Sequence, residues 1–142
     1  MIVLDANILL YAYDSASAEH TKARNWIERT FSDGTPVGLP WQTVAVFLRI
    51  MTNPKLPGER FTPEEAVHLV DQWLDQPNVR LLTPGKITGA FFARRSSRAK
   101  PKGPLITDAQ LAALTIEYGG VLHTTDRDFA RFPELRWVNP IA

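Results

Sequence analysis

The sequence predicts an α/β fold in which a mostly parallel central sheet is flanked by helices. Short apolar runs rich in Val, Ile and Leu alternate along the chain with longer segments whose apolar residues recur at helical spacing. The short runs are hydrophobic at nearly every position, as are strands that helices cover on both faces. Right-handed crossovers between such strands bring their carboxyl ends together at one edge of the sheet.

Length and composition narrow the class of protein. The 142 residues suffice for about one domain with its own core, so we expect a single domain over residues 1–142. The absence of cysteine excludes disulfides and thiolate metal sites. The chain starts directly with a predicted strand, and no apolar stretch approaches the ~18 residues that a membrane span requires. We therefore expect a soluble, cytoplasmic protein without a membrane segment.

The first predicted strand, residues 1–4, runs straight into Asp5 and the turn-forming pair Ala6-Asn7. In an open α/β sheet, ligands bind in the crevice beyond the carboxyl ends of the strands, and this strand delivers Asp5 to that edge. An aspartate after a strand is also common as a turn or helix-cap residue. On this stretch alone, the capping role is favoured.

The remaining elements follow from spacing and turn residues. Helices are predicted over residues 8–13, 19–31, 41–52 and 63–74, and strands over residues 37–39, 79–82, 121–123 and 136–138. The clearest helix start is a capping box, with Thr62 as the cap, Pro63 at the first helical position and Glu65 three residues after the cap.

A second capping-box pattern, Thr107 with Gln110, predicts the start of a helix that continues to Gly119. Asp108 then lies in the first helical turn. The helix dipole favours a negative charge at that position, so we expect an ionised carboxylate.

A basic segment follows a helix that opens at residues 83–84. It contains five cations within nine positions, without an intervening acid: Arg94, Arg95, Arg98, Lys100 and Lys102. Since the whole chain carries +1 and this segment carries +5, the remainder carries −4. Such a segment can contact phosphates, because each neutralised phosphate releases counterions. A solvated surface loop is the alternative.

The strand predicted over residues 121–123 also ends in acids, within a Thr-Thr-Asp-Arg-Asp run. Asp126 and Asp128 therefore reach the same edge as Asp5, where Asp108 can join them. Four acids in one cleft repel one another at neutral pH, and a divalent cation removes that cost. Carboxylate oxygens suit Mg²⁺ or Mn²⁺. A cation held in this way can activate water and stabilise the charge that develops on a phosphate ester.

These motifs resemble those of the PIN-domain ribonucleases. The motifs concerned are Asp5-Ala6-Asn7 after the first strand, Thr107–Ala113 on a helix, and Thr124–Phe129 after a later strand. Four further motifs resemble the VapC toxins of bacterial toxin–antitoxin pairs: Leu39-Pro40-Trp41, Phe47–Ile50, Thr52-Asn53-Pro54 and Trp137–Pro140. The resemblance spans essentially the whole chain.

The resemblance implies a PIN-like three-layer fold and a Mg²⁺-dependent endoribonuclease, with Mn²⁺ as a possible substitute, that cuts structured RNA such as tRNA or rRNA. It also implies a homodimer that a cognate VapB-like antitoxin inhibits by inserting into the active-site groove. By position, the implied metal-binding and catalytic acids are Asp5, Asp108 and Asp126, with Asp128 as an additional or alternative ligand. Asn7 and Thr125 are the implied supporting side chains, and the cations of the basic segment are expected to contact substrate.

One position departs from the family's pattern. The family commonly places a glutamate on the helix after the second strand, in a Thr-x-x-Glu-Leu pattern, but here Val46 stands three residues after Thr43. Gln42, one turn earlier, is the nearest polar side chain, and a neutral amide supplies no charge. With one acid fewer, weaker metal affinity or the loss of a second metal ion is expected. Asp14 and Glu19 are candidate substitutes from elsewhere in the chain.

Two other functions stay open. Val46 motivates a catalytically weakened PIN-like module that binds RNA or protein without cleavage. Asp5 after a first strand also fits a phosphatase or receiver-type domain whose aspartate is phosphorylated. That chemistry needs a partner lysine, and Lys86, Lys100 and Lys102 have no distinctive placement for it.

Aromatic residues offer candidates for base stacking. The tryptophans lie within apolar patterns, so we expect them to pack in the core or a dimer interface: Trp26, Trp41, Trp73 and Trp137. Tyr11 and Tyr13 lie nearer the predicted cleft and are the better candidates for contact with a base.

Overall fold

A computed structural model describes residues 1–86, 88–89 and 103–142 of the chain. Its centre is a five-stranded sheet with the strand order β3-β2-β1-β4-β5, in which every neighbouring pair is parallel. The strands are β1 (Ile2–Leu4), β2 (Val37–Pro40), β3 (Val79–Leu82), β4 (Val121–His123) and β5 (Trp137–Val138). The predicted α/β class is therefore confirmed, and β1 occupies the middle of the sheet.

Helices connect the strands, as right-handed parallel crossovers require. The described helices are α1 (Ala6–Ala12), α2 (His20–Ser32), α3 (Trp41–Met51), α4 (Pro63–Leu74), α5 (Pro104–Glu117) and a short 3₁₀ helix (Arg127–Arg131). Among the residues that the structure describes, no helix is both long enough and apolar enough to cross a bilayer.

Two hydrophobic cores lie on opposite faces of the sheet. On one face, Leu4 of β1 packs in a cluster with Phe47 of α3 and Trp73 of α4. On the other face, Val3 of β1 belongs to a cluster that includes α5 and Phe129 of the 3₁₀ helix. Both Val3 and Leu4 are fully buried, which explains the continuous hydrophobicity of the first strand. The three-layer arrangement is confirmed.

The start of α4 agrees with the prediction. The Thr62 hydroxyl accepts a hydrogen bond from the Glu65 backbone N–H at 3.2 Å, and the Glu65 carboxylate accepts one from the Thr62 N–H at 2.9 Å. The two bonds satisfy backbone donors that would otherwise lack partners at the end of a helix.

The start of α5 differs from the prediction. The helix begins at Pro104 after Gly103, which has a φ of 58°, so Thr107 is not its cap and Asp108 lies beyond the first turn. Proline is favoured at the first helical position because its φ is already helical and its missing N–H would be unpaired there anyway. The dipole of the helix terminus decays within one turn. The expectation that it keeps Asp108 ionised is therefore wrong.

Tyr13 belongs to the core on the α4 side of the sheet. Its ring packs against Phe47 and Trp73, at centroid distances of 5.8 Å and 5.5 Å. Its hydroxyl accepts a hydrogen bond from Trp73 Nε1 at 2.8 Å. This ring is therefore packed among protein side chains, and contact between the half-buried Tyr13 and a base stays a prediction.

Candidate active site at the carboxyl edge of the sheet

Asp5 combines the two roles that its sequence position allows. It is the N-cap of α1, where its Oδ1 accepts a hydrogen bond from the Ala6 N–H at 2.7 Å. Its own N–H donates to the His123 carbonyl of β4 at 3.1 Å. Asp5 is therefore fixed at the carboxyl edge of the sheet, between the ends of β1 and β4.

Thr124 ties the ends of these two strands together through its side chain. The hydroxyl donates to Asp5 Oδ2 at 2.7 Å and accepts the Asp126 N–H at 3.0 Å. Asn7 Nδ2 also donates to the Thr124 hydroxyl oxygen, at 3.5 Å. Thr124 is fully buried, so water does not compete for these bonds. One hydroxyl therefore sets the relative positions of two acids on different strands.

Asp126 and Asp128 follow β4 on one short turn. Asp126 is the N-cap of the 3₁₀ helix, and its Oδ1 accepts the Asp128 N–H at 2.8 Å. Asp128 is exposed, and one of its carboxylate oxygens lies 4.0 Å from Arg131 Nη2. Asp126 therefore faces the partly buried cleft, whereas Asp128 lies at its solvent-exposed rim.

Asp108 joins this group electrostatically from α5. Burial raises its pKa to about 6, and the charges of the other acids raise it as well, against the opposing charge of Arg131. The acids concerned are Asp126, Asp5 and Asp128. Burial likewise raises the pKa of Asp5, with a contribution from Asp126, while the hydrogen bonds from Thr124 and Ala6 lower it. The four acids thus share one negative field.

Helix α3 supports the site from the side of β2. The buried Thr43 hydroxyl donates to the Leu4 carbonyl, next to Asp5, at 2.7 Å. Gln42 Nε2 donates to the Thr107 carbonyl, next to Asp108, at 3.3 Å. Val46 is three residues from Thr43 and four from Gln42, so it shares their helix face. An apolar side chain therefore stands on the face where the family's pattern has an acid.

The donor chemistry of this edge fits a hydrated divalent cation. Within the described ranges, no three His, Asp or Glu side chains form a group that can hold a metal ion. Mg²⁺ usually keeps several waters and binds through only one or two carboxylates, so a closed cage is unnecessary. Asn7 Oδ1 is buried beside the acids and has no hydrogen-bond partner in the described structure. Oxygen donors that repel one another and a buried oxygen without a partner both suit such an ion.

Some predicted site residues lie outside the structure's described ranges. These are the cations of the basic segment: Arg94, Arg95, Arg98, Lys100 and Lys102. Their contact with substrate stays a prediction. The metal-binding roles of the four acids and the supporting roles of Asn7 and Thr125 also stay predictions, although the structure brings Asp5, Asp126 and Asp128 into electrostatic range of Asp108.

Comparison with known proteins decides the family. The PIN domain model matches residues 2–135. The chain belongs to the PIN-domain family. Ribonuclease VapC33 of Mycobacterium tuberculosis is 37% identical over 141 residues, with 99% of each protein covered. Identity at this level over nearly the full length places the chain among the VapC ribonucleases.

Solved structures with low sequence identity share this fold. A VapBC-1 structure from nontypeable Haemophilus influenzae matches with a TM-score of 0.74 at 18% identity, and all of both chains is covered. VapC20 of Mycobacterium tuberculosis, a sarcin-ricin loop cleaving toxin, matches with a TM-score of 0.66 at 16% identity, covering 96% of this chain and 99% of that one. The sheet and its helices are therefore arranged as in PIN-domain toxins.

Sequence reasoning missed Thr124, whose hydroxyl donates to Asp5 in this VapC-family chain, while the supporting role predicted for Thr125 stays a prediction. A signal for Thr124 was present in the sequence. A threonine two residues before an aspartate can accept the aspartate's N–H in a local turn, which is the bond that the structure shows. The contact with Asp5 depends on strand order and could not be predicted from local pattern.

We expect Thr124→Val to weaken the site more than Thr125→Val does. Valine keeps the shape of Thr124 but removes the donor to Asp5 and the acceptor for Asp126. Loss of an outer hydrogen-bond partner typically lowers metal affinity or activity by about 10-fold to 100-fold. Calorimetric titration with Mg²⁺ and the cleavage rate measure both effects. Equal affinities in the two variants would contradict the role of Thr124.

The raised pKa of Asp108 predicts a pH-dependent stability. The folded metal-free chain binds the Asp108 proton more tightly than the unfolded chain, whose carboxyl has the ordinary value of 3.8. Stability is therefore lost as the pH rises from 3.8 to about 6. At pH values above about 6, Asp108→Asn is expected to raise the free energy of unfolding. The gain should be roughly 1 kcal/mol or less, because solvent screens a partly exposed carboxyl.

Urea unfolding measures this effect, at about pH 3.5 and at about pH 7.5. Asp108→Asn should be more stable than the original chain only at the higher pH. Asp71→Asn, an exposed position on α4, is the matched control and should change little at either pH. An Asp108→Asn variant that gains nothing at the higher pH would contradict the predicted repulsion.

Proposed function

We propose that this chain is a Mg²⁺-dependent endoribonuclease toxin that cleaves structured RNA such as tRNA or rRNA and is inhibited by a cognate VapB-like antitoxin. Mn²⁺ is the proposed substitute for Mg²⁺. The observation that carries the proposal is the shared negative field of Asp5, Asp108 and Asp126 at the carboxyl edge of the sheet. Membership of the VapC ribonucleases supports the substrate class.

In this proposal, Asp5, Asp108 and Asp126 would hold the cation, directly or through its bound waters, and Asp128 is an additional or alternative ligand at the rim. When bound there, the cation would supply two kinds of chemistry, the activation of water and the stabilisation of the charge that develops on phosphorus and on the leaving oxygen. Thr124 fixes the orientation of the Asp5 carboxylate, and the α1 cap bond from Ala6 fixes its other oxygen. Protons compete for the Asp108 oxygens, so cation affinity should fall as the pH approaches 6 from above.

Relatives support the finer parts of the proposal. VapC20 is named as a toxin that cleaves the sarcin-ricin loop, which favours structured RNA as the substrate. VapBC complexes have been solved for several distant relatives, which favours an antitoxin partner. The basic side chains of residues 94–102 are proposed to contact the RNA backbone. The chain is proposed to act as a homodimer. The cleft between β1 and β4 is the proposed target of the antitoxin.

Cleavage of purified cellular RNA tests the proposal. The antitoxin-free chain should cut RNA with Mg²⁺ or Mn²⁺ and not with EDTA, and sequencing of the new RNA ends should reveal preferred sites. Asp5→Ala should lower the rate by on the order of 100-fold or more, because a ligand of the cation is lost. Asp71→Ala, which removes an exposed acid of α4, is the matched control. The proposal fails if the original chain and Asp5→Ala behave identically.

Val46 favours a second candidate, a PIN-like module that binds RNA or protein and has lost catalysis. Its half-buried apolar side chain stands where the family's pattern has a glutamate. This candidate predicts salt-sensitive RNA binding that is indifferent to Mg²⁺ and yields no cleavage. In that case, Val46→Glu should create cleavage activity by restoring the missing charge.

A further inference from the structure

Trp41 is not packed in the core of the chain, and its place in a dimer interface stays a prediction. Trp73 is buried and the ring of Trp26 stacks on His123, but Trp41 is 54% exposed. A large aromatic ring in water is costly, because burying a ring of this size is a main source of stabilisation. Trp41 is the first residue of α3 and follows β2 directly, so it lies at the same edge of the sheet as the acids.

The exposed ring forms one wall of a cavity of about 280 Å³. Pro84 and Leu114 add apolar surface to this cavity, and Gln42 and Gln110 add amide groups. We call this cavity the Trp41 pocket. The described residues that line it carry no charged side chain. These described lining residues suit a neutral group that is mostly apolar and able to form hydrogen bonds.

The Trp41 pocket lies beside the catalytic acids. Trp41 follows β2 and Pro84 follows β3, whereas Asp5 follows β1, the neighbour of β2. Adjacent strands are about 4.8 Å apart, so the strand end that precedes Trp41 lies directly beside the strand end that precedes Asp5. Gln42, which lines the pocket, also donates to the Thr107 carbonyl next to Asp108. Pocket and acids are therefore continuous parts of one surface.

We propose that the Trp41 pocket binds one unpaired nucleobase of the RNA whose backbone lies at the acids. Every base has a π-face that can stack on tryptophan, and unpaired bases are recognised through stacking together with hydrogen bonds to their edges. Glutamine amides both donate and accept, so Gln42 and Gln110 can contact a base edge. This inference rests on the proposed ribonuclease function and adds a specificity-determining subsite to it.

The size of the pocket fits one base. Its volume is near the lower end of the range for small-ligand pockets, on the order of 300 Å³. A single planar ring is the occupant that matches a small cavity with one aromatic wall and two amides.

Binding without cleavage tests the subsite. Fluorescence anisotropy in EDTA compares a labelled single-stranded RNA of about 12 nucleotides and mixed sequence with a ribose-phosphate oligomer of equal length that lacks bases. Trp41→Ala should weaken binding of the RNA by about 5-fold to 100-fold and leave binding of the baseless oligomer unchanged. Trp41→Phe should retain most of the affinity, because phenylalanine still offers a ring face.

Two further variants keep the test decisive. Gln110→Ala, at an exposed position of α5, should also weaken RNA binding selectively and does not depend on the folding of a Trp41 variant. Val67→Ala removes a hydrophobic side chain on α4 that is 47% exposed, and it is the matched control for nonspecific effects. It should leave both affinities unchanged.

The proposal is overturned if Trp41→Ala weakens both oligomers equally or leaves RNA affinity unchanged. It is also overturned if the variant changes only the oligomeric state in sedimentation, since a second copy of the chain would then cover the pocket. Because the assay contains no metal, its failure leaves the Asp5 cleavage test untouched. Conversely, a base-dependent affinity without any RNA cleavage would contradict the ribonuclease function and leave the base-binding subsite supported.

Discussion

The site depends on one buried hydroxyl. Thr124 donates to Asp5 and accepts from the backbone of Asp126, so it joins the ends of two parallel strands that are far apart in sequence. Each carboxylate is also fixed by a second interaction, because Asp5 caps α1 and Asp126 caps the 3₁₀ helix. On the opposite side, Thr43 binds the carbonyl of Leu4 and fixes the same strand end. Two threonines thus hold the central strand where its aspartate is needed.

The same arrangement creates an electrostatic conflict. Partial burial and neighbouring charges raise the pKa of Asp5 and of Asp108, so the folded metal-free chain bears unfavourable charge near neutral pH. The two hydrophobic cores on either face of the sheet compensate for this cost. A cation would remove it, which couples ion binding to stability. The proposed cation site and this electrostatic cost therefore involve the same four side chains.

Much of this was predictable because each strand is buried on both faces and each acid directly follows a strand. The sheet, the cap at Thr62 and the grouping of Asp5 with Asp126 follow from these local patterns. The predicted start of α5 was wrong because Pro104 begins the helix before the capping pattern at Thr107. The contact of Thr124 and the exposure of Trp41 depend on which strands become neighbours, and a local pattern does not contain that information.

Paramagnetic line broadening by Mn²⁺ tests the central claim most directly. In the ¹⁵N-labelled metal-free chain, small amounts of Mn²⁺ should broaden the amide signals of Asp5, Asp108 and Asp126 first, because these acids share one field. The half-buried acid Asp14, which is paired with Arg60 away from the β1 and β4 strand ends, serves as the internal reference. Broadening that centres on Asp14, or that is uniform along the chain, would contradict a cation site at the carboxyl edge of β1 and β4.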